Sequence, residues 1–221
     1  MRATCFVLSI CLLLATTGCW VNSLNPSYES TDVIAEPLFA GTWIHTEPKS
    51  VGDTTDSNVV QRWTLTASNA PADWLGPGYD LTFVTEECRD GVCTSDKPLA
   101  WTGHLAKIGP NLFLDVISRD KNPDELHWVP THTFYRVVLK NNTLQVAFMD
   151  QEWLDRVIDE DRLKLSHSHL GSAVAGDVLL TEDTQAIRQL LLDCGSDAEA
   201  FPVSNTLTFS RKVPDTPAIP R

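Results

Sequence analysis

The sequence is poor in basic residues, and this scarcity excludes one large class of function. It has 17 lysines and arginines against 29 aspartates and glutamates, so the formal net charge of its 221 residues is −12 at pH 7. Nucleic-acid binding needs a basic face, and attraction to anionic lipid headgroups needs basic residues as well. We therefore expect no nucleic-acid partner and no electrostatic adhesion to a membrane.

Recognisable catalytic motifs are also missing. The sequence contains no nucleophile elbow, no P-loop and no dinucleotide fingerprint. It therefore predicts no cofactor and gives no positive sign of an enzyme, although it leaves enzymatic activity and oligomeric state open.

The one long apolar run is confined to the N-terminus. Ala3–Ala15 is almost entirely apolar, which suits a signal-peptide core better than a membrane span of about 20 residues. It leads into Thr16-Thr17-Gly18-Cys19, which resembles the lipobox of bacterial lipoproteins. An ordinary signal peptide and an uncleaved anchor over Ala3–Val21 are the alternatives.

The lipobox resemblance implies a place in the cell. Residues 1–18 would be removed as a signal peptide, and Cys19 would carry acyl chains such as palmitate that attach the protein to a membrane. Because Trp20 follows the cysteine where inner-membrane lipoproteins often have aspartate, the outer membrane is favoured, facing the periplasm, if the organism has two membranes.

Cysteine is scarce in the remainder of the chain, which has three further cysteines after Cys19. Cys88 and Cys93 flank Asp90-Gly91, a strong signal for a two-residue hairpin turn. That turn pairs the two cysteines at a separation that a disulfide accepts. We therefore predict a Cys88–Cys93 bridge, with two reduced thiols at a loop tip as the alternative, and a free, at least half-buried Cys194.

Two segments lack any regular hydrophobic period. Trp20–Pro37 is polar and holds two prolines, and Val213–Arg221 holds three. We expect residues 19–37 to form a lipidated flexible tether and residues 213–221 to form a disordered tail. One folded domain would then occupy residues 38–212.

Alternation of apolar and polar residues dominates that domain and predicts antiparallel strands. The clearest hairpin joins Thr131–Lys140 to Thr143–Met149 through Asn141-Asn142, and it pairs apolar residues along one face. Two short helices are predicted, Gln151–Glu160 and Thr181–Asp193, the second capped by Thr181. The order of elements indicates a mainly β fold, either an up-and-down barrel or a sandwich.

The first strand favours the barrel. Leu38-Phe39-Ala40-Gly41-Thr42-Trp43 resembles the opening Gly-x-Trp of lipocalins and of the wider calycin group. The resemblance implies an antiparallel up-and-down β-barrel whose narrow end is closed by Trp43, with Arg211 lying across its ring. The order of elements also resembles that of uncharacterised bacterial lipocalin-like lipoproteins.

An eight-stranded barrel either is filled by side chains or holds one small ligand. We expect a small apolar ligand inside, in a cavity lined by Trp63, Tyr79, Leu81, Phe83, Trp101, Tyr135 and Phe148. A ligand-free structural or interaction lipoprotein is the alternative. A third hypothesis is a zinc-binding or hydrolytic protein that uses the histidines His127, His132, His167 and His169.

Overall fold

The computed structural model describes residues 21–47, 57–68, 76–89, 92–119, 129–170 and 177–212. The predicted signal peptide 1–18, the acylated Cys19, the tail 213–221 and His127 therefore lie outside the described residues. No helix within the described ranges is both long and apolar enough to cross a bilayer.

The described residues form twelve strands and two α-helices. The strands are β1 (Val21–Ser23), β2 (Gly41–Thr46), β3 (Ser57–Ala67), β4 (Tyr79–Arg89), β5 (Val92–Ser95), β6 (Leu99–Ile108), β7 (Asn111–Ser118), β8 (His132–Lys140), β9 (Thr143–Ala147), β10 (His167–Leu170), β11 (Asp177–Leu180) and β12 (Thr206–Arg211). The helices are α1 (Gln151–Asp159) and α2 (Thr184–Cys194), with 3-10 turns at Pro37–Phe39 and Val203–Asn205.

Eight of these strands close into an antiparallel barrel, which confirms the predicted fold class. The order around the barrel is β2-β3-β4-β6-β7-β8-β9-β12, and β12 pairs again with β2. A short extension leaves the barrel at β8, where β1 pairs alongside and is followed by β11 and β10. The barrel strands follow chain order, so successive strands run in opposite directions and alternate strand ends meet at each mouth.

The hairpin between β8 and β9 has the predicted register. Leu139 lies opposite Leu144, and Val137 lies opposite Val146. Asn141 takes the left-handed conformation that a tight turn needs, with φ of 55°. A shift of one residue would turn the apolar face of both strands outward, so the hydrophobic pattern alone fixes this pairing.

The molecule has two hydrophobic cores on opposite sides of the barrel wall. The first fills the barrel and is made by inward-facing residues of its strands. The second lies outside the wall, where α1, α2 and the N-terminal segment pack against β6, β7, β8 and β11. Its largest members include Tyr28, Phe113, Phe134, Trp153 and Phe201.

The predicted tether is wrong for the described part of the N-terminal segment. Val21 is 5% exposed and Tyr28 is 1% exposed, and both belong to the outer core. Val21 also pairs with Val178 on β11. The folded domain therefore begins at or before Val21 rather than at Leu38.

Polar contacts fasten the same segment along its length. Arg188 donates two hydrogen bonds to the Asp32 carboxylate, at 2.7 and 2.8 Å. The Ser27 amide and hydroxyl both donate to Asp115, at 2.8 and 2.7 Å. These partners lie far away in the chain, so the segment shows no local period although it is packed.

The helix boundaries differ from the prediction most at the start of α2, which begins at Thr184 and not at Thr181. The N-cap of α2 is Asp183, whose carboxylate accepts a hydrogen bond from the Ala186 amide at 2.9 Å. Thr181 instead donates its amide to the Ser166 carbonyl, as part of the pairing with the segment before β10. Thr181 and Asp183 are both suitable caps, and the sheet contact decides between them.

Candidate functional site

One end of the barrel is sealed around Trp43, as the Gly-x-Trp resemblance implied. Trp43 is fully buried, and its indole nitrogen donates to the Phe39 carbonyl at 3.0 Å. The Arg211 guanidinium carbon lies 4.2 Å from the centroid of the Trp43 ring system. Arg211 also donates to the Ala40 carbonyl at 2.8 Å and to the Leu38 carbonyl. The arginine thus ties the last barrel strand to the 3-10 turn that precedes the first.

Gly41 is required at this closed end for two reasons. Its φ is +143°, a conformation that residues with a side chain rarely adopt. A Cβ atom placed there would also collide with the Arg211 guanidinium. The glycine of the motif therefore makes room for the arginine.

The opposite end of the barrel carries a cluster of partly exposed aromatic rings, which we call the mouth cluster: Phe83, Trp101 and Phe148. Phe83 and Trp101 stack with centroids 6.1 Å apart and planes 3° apart. Phe148 follows the last residue of β9 and packs edge-on against Tyr135, at 5.1 Å. Leu99, opposite Phe83 at the start of β6, is 41% exposed and extends the apolar surface of this end.

Below the mouth cluster the aromatic surface continues into the buried interior. Trp63 is 3% exposed, and its ring lies 5.9 Å from Tyr135 and 5.1 Å from Phe209. Burial raises the pKa of Tyr135 far above its ordinary value, so its phenol stays protonated. These side chains therefore place no charge in the interior where it meets the mouth cluster.

The seven predicted cavity residues all belong to the barrel interior, but they divide between its two ends. The Tyr79 hydroxyl contacts the backbone of Glu36 at the closed end, accepting from its amide at 2.9 Å and donating to its carbonyl at 3.0 Å. Leu81 is 2% exposed and contributes to the core. The residues that can meet a ligand from outside are thus the mouth cluster, with Trp63 and Tyr135 beneath it.

The predicted disulfide is present at the open end of the barrel. Cys88 and Cys93 face each other across β4 and β5 and are bonded, with Cα atoms 4.0 Å apart. The hairpin they close continues β4 beyond its last pair with β6. Cys194 is free and buried, and burial raises its pKa to about 12.

Of the four histidines proposed as metal ligands, the three that the structure describes are not brought together. His132 on β8 and His167 on β10 are separated by β1 and β11 in the sheet. Neighbouring strands lie about 4.8 Å apart, so three such steps separate these histidines by roughly 14 Å. The described parts of the chain hold no group of three or more His, Cys, Asp or Glu that could bind a metal. The four-histidine site is therefore wrong.

Two of these histidines have other partners. The His167 and His169 rings lie 5.5 Å apart, and His167 donates through Nδ1 to the Leu165 carbonyl at 2.9 Å. His169 Nε2 lies 3.9 Å from Asp155 Oδ1, which is a loose contact. This pair belongs to the short sheet extension, outside the eight barrel strands.

A buried carboxylate, Asp115, lies on the outer wall; the sequence offered it only as a residue that could complete the histidine site. Asp115 is 2% exposed, and besides the two bonds from Ser27 it contacts His132 Nδ1 at 2.6 Å. A hydrolytic triad needs histidine between serine and aspartate, whereas here the aspartate lies between the other two. The sequence signal was a single charged residue within the otherwise apolar strand Leu112–Ile117, and its role is to hold the N-terminal segment.

Comparisons of this chain with protein-family models, with curated proteins and with solved structures found no match. Its function is therefore inferred from its own residues.

Proposed function

We propose that this protein is a lipid-anchored protein of the cell envelope whose barrel binds a small apolar molecule at its open end. The observation that carries the proposal is the mouth cluster, where three aromatic side chains stay partly exposed. Ligand sites are typically concave, mostly apolar and placed in the mouths of barrels. With this function, the protein would resemble lipocalin-like lipoproteins, whose barrel architecture is similar.

The two ends of the barrel support a single direction of entry. At the closed end, Trp43, Phe39 and Arg211 are occupied by contacts with one another and with the backbone. At the open end, Phe83 and Trp101 stack on each other but remain partly accessible to solvent. An apolar molecule would therefore enter between the rings of the mouth cluster and approach Trp63.

The anchor part of the proposal rests on the lipobox resemblance at Cys19. Two residues of chain reach at most about 7 Å, so an acylated Cys19 would lie within that distance of Val21 in the sheet. The barrel would then sit against the bilayer surface and not at the end of a long linker. The proposed location is the outer membrane, facing the periplasm, in an organism with two membranes.

Ligand binding can be measured on the mature protein kept soluble by Cys19→Ser. The neutral fluorescent probe N-phenylnaphthylamine should bind, and Trp101→Ala should weaken its binding by up to about tenfold, since an aromatic pair contributes roughly 0.5–1.5 kcal/mol. Val138→Ala is the matched control, because Val138 is apolar and exposed on the outer face of β8. It should leave the binding unchanged.

The same experiment addresses the alternative of a filled barrel with a structural or interaction role. Close contacts of Trp63 with Tyr135 and Phe209 favour that alternative, because they fill part of the interior. If the probe does not bind, and native mass spectrometry finds no apolar molecule on the purified protein, the ligand-binding proposal is wrong.

Lipidation is tested separately by growing cells with an alkyne analogue of palmitate. The wild-type protein should take up the label and stay with the membrane fraction, and Cys19→Ala should lose both properties. Equal membrane retention of both proteins without label would indicate an uncleaved N-terminal span instead.

A further inference from the structure

We propose that the ligand is a neutral, largely apolar molecule that carries one hydrogen-bond acceptor, such as a ketone or ester carbonyl, and that Trp63 Nε1 donates to it. This inference rests on the proposed binding of an apolar molecule at the open end and specifies the chemical class of that molecule.

The starting observation is a buried donor without an acceptor. Trp63 is 97% buried, its Nε1 atom is inaccessible to solvent, and no acceptor lies within hydrogen-bond distance among the residues that the structure describes. The indole nitrogen can only donate, so a full hydrogen bond requires an acceptor from elsewhere. Trp43, the tryptophan opposite it on β2, donates to the Phe39 carbonyl. The chain thus satisfies one interior indole and leaves the other unpaired.

Of the four rings around Trp63, only Tyr135 carries an oxygen, and that phenol is not within hydrogen-bond distance of Trp63 Nε1. The other three rings have no acceptor. Phe83 and Trp101 lie at 87° and 90° to its plane, with centroids 6.1 and 6.5 Å away, and Phe209 packs at 5.1 Å. Buried polar groups in proteins are nearly always hydrogen-bonded, so an exception calls for an explanation. An acceptor that arrives with the ligand, through the mouth cluster, satisfies the indole.

The charge of the interior indicates that this acceptor is neutral. Arg211, the basic side chain that packs on the barrel core, is already engaged at the closed end by Trp43 and the Ala40 carbonyl. A carboxylate beside Trp63 would be buried without a counter-charge, which is strongly unfavourable. His45 contacts Phe209 but its Nδ1 donates to the Thr208 carbonyl, so that nitrogen is not available to an anion.

Three ligands of equal chain length test the assignment on the Cys19→Ser mature protein: methyl nonyl ketone, undecane and undecanoate. Each competes with N-phenylnaphthylamine, so the dissociation constants are measured in one assay. Trp63→Phe should weaken ketone binding roughly fivefold, the usual effect of one hydrogen bond, and change undecane binding by less than about twofold. Trp101→Phe is the matched control, because it should change the binding of ketone and alkane by the same factor.

A second readout needs no substitution at Trp63, because its indole N–H resonance can be assigned from nuclear Overhauser contacts with neighbouring residues in the unsubstituted protein. The indole N–H resonance of Trp63 should shift when the ketone binds and stay in place when undecane binds. If Trp63→Phe fails to fold, this comparison on the unsubstituted indole still decides the question.

The possible failures are distinct. Suppose the probe binds, but Trp63→Phe changes the dissociation constants of ketone and alkane by the same factor, and both ligands shift the indole resonance equally. The acceptor assignment is then wrong, and the proposal of apolar binding stands. If undecanoate binds more tightly than the ketone, the ligand is anionic and the neutral assignment is wrong. If no probe or ligand binds, the proposed function fails and this inference fails with it.

Discussion

Replacing Arg211 by alanine should destabilise the barrel by about 2 kcal/mol. The side chain joins the last strand to the segment before the first strand, through the Trp43 ring and the carbonyls of Leu38 and Ala40. These contacts link chain positions that lie 171 and 173 residues apart. They therefore help to hold the closed barrel together at the place where its first and last strands meet.

The magnitude follows from two contributions. A guanidinium over an indole at 4.2 Å contributes about 1 kcal/mol when it is partly exposed. Two hydrogen bonds to carbonyls contribute about 0.5–1.5 kcal/mol each in favourable cases. The lower figure applies here because Leu38 is 62% exposed and its carbonyl can bind water once the arginine is gone. The sum is about 2 kcal/mol.

Urea unfolding followed by tryptophan fluorescence measures this loss, and the melting temperature should fall by roughly 4–8 °C for a domain of this size. Arg119→Ala is the matched control, since Arg119 forms a 2.6 Å ion pair with Asp80 in which both side chains are exposed. Such a pair contributes at most about 1 kcal/mol.

Gly41→Ala gives a second, independent check. Alone it should be strongly destabilising, because it combines an unfavourable φ with a collision against the guanidinium. In the Arg211→Ala background the collision is absent, so the same substitution should cost less. If Gly41→Ala costs the same in both backgrounds, or if Arg211→Ala costs no more than Arg119→Ala, the closed-end contact does not stabilise the barrel as described.

Three further predictions concern the outer side of the barrel and the cysteines. Removing residues 20–37 should lower the free energy of unfolding by at least about 4 kcal/mol, because two core side chains, Val21 and Tyr28, would be lost. An unchanged melting curve would instead support the predicted flexible tether. The hydrogen bonds from Arg188 lower the pKa of Asp32, so this carboxylate stabilises the fold above its unfolded-state pKa, and the effect is lost as the pH falls through the lower folded-state pKa. In urea titrations the stability difference between wild type and Asp32→Asn should thus be present at neutral pH and shrink below about pH 4; a constant difference would contradict the charged contact. Burial raises the pKa of the Cys194 thiol to about 12, so it should resist iodoacetamide in the folded Cys19→Ser protein and react, as the single free thiol, once the protein is unfolded without reductant; three reactive thiols would exclude the disulfide.

Much of the barrel was predictable because its signals are local. Alternating residues on both sides of Asn141-Asn142 set the register of β8 and β9, and Asp90-Gly91 placed Cys88 opposite Cys93. Helix α1 lies within one residue of its predicted end. Turn chemistry and hydrophobic period act over a few residues, so they can be recognised along the chain without knowing its fold.

The interior of the candidate site was predictable only in part. The period of the strands identified which aromatic residues point inward, among them Trp63 and Trp101. It could not show that Trp63 Nε1 lacks an acceptor, because that depends on the positions of side chains from several strands. For the same reason, the sequence could not show that the predicted cavity residues divide between the mouth and the closed end, where Tyr79 lies.

The N-terminal segment was mistaken for a linker because its partners are remote. Ser27 finds Asp115 at a separation of 88 residues, and Asp32 finds Arg188 at a separation of 156. The proposed histidine site failed for the same reason, since the sequence does not show that β1 and β11 lie between His132 and His167 in the sheet. Composition, turns and strand faces are properties of the chain, whereas a polar segment becomes part of a domain only when the completed sheet offers it buried partners.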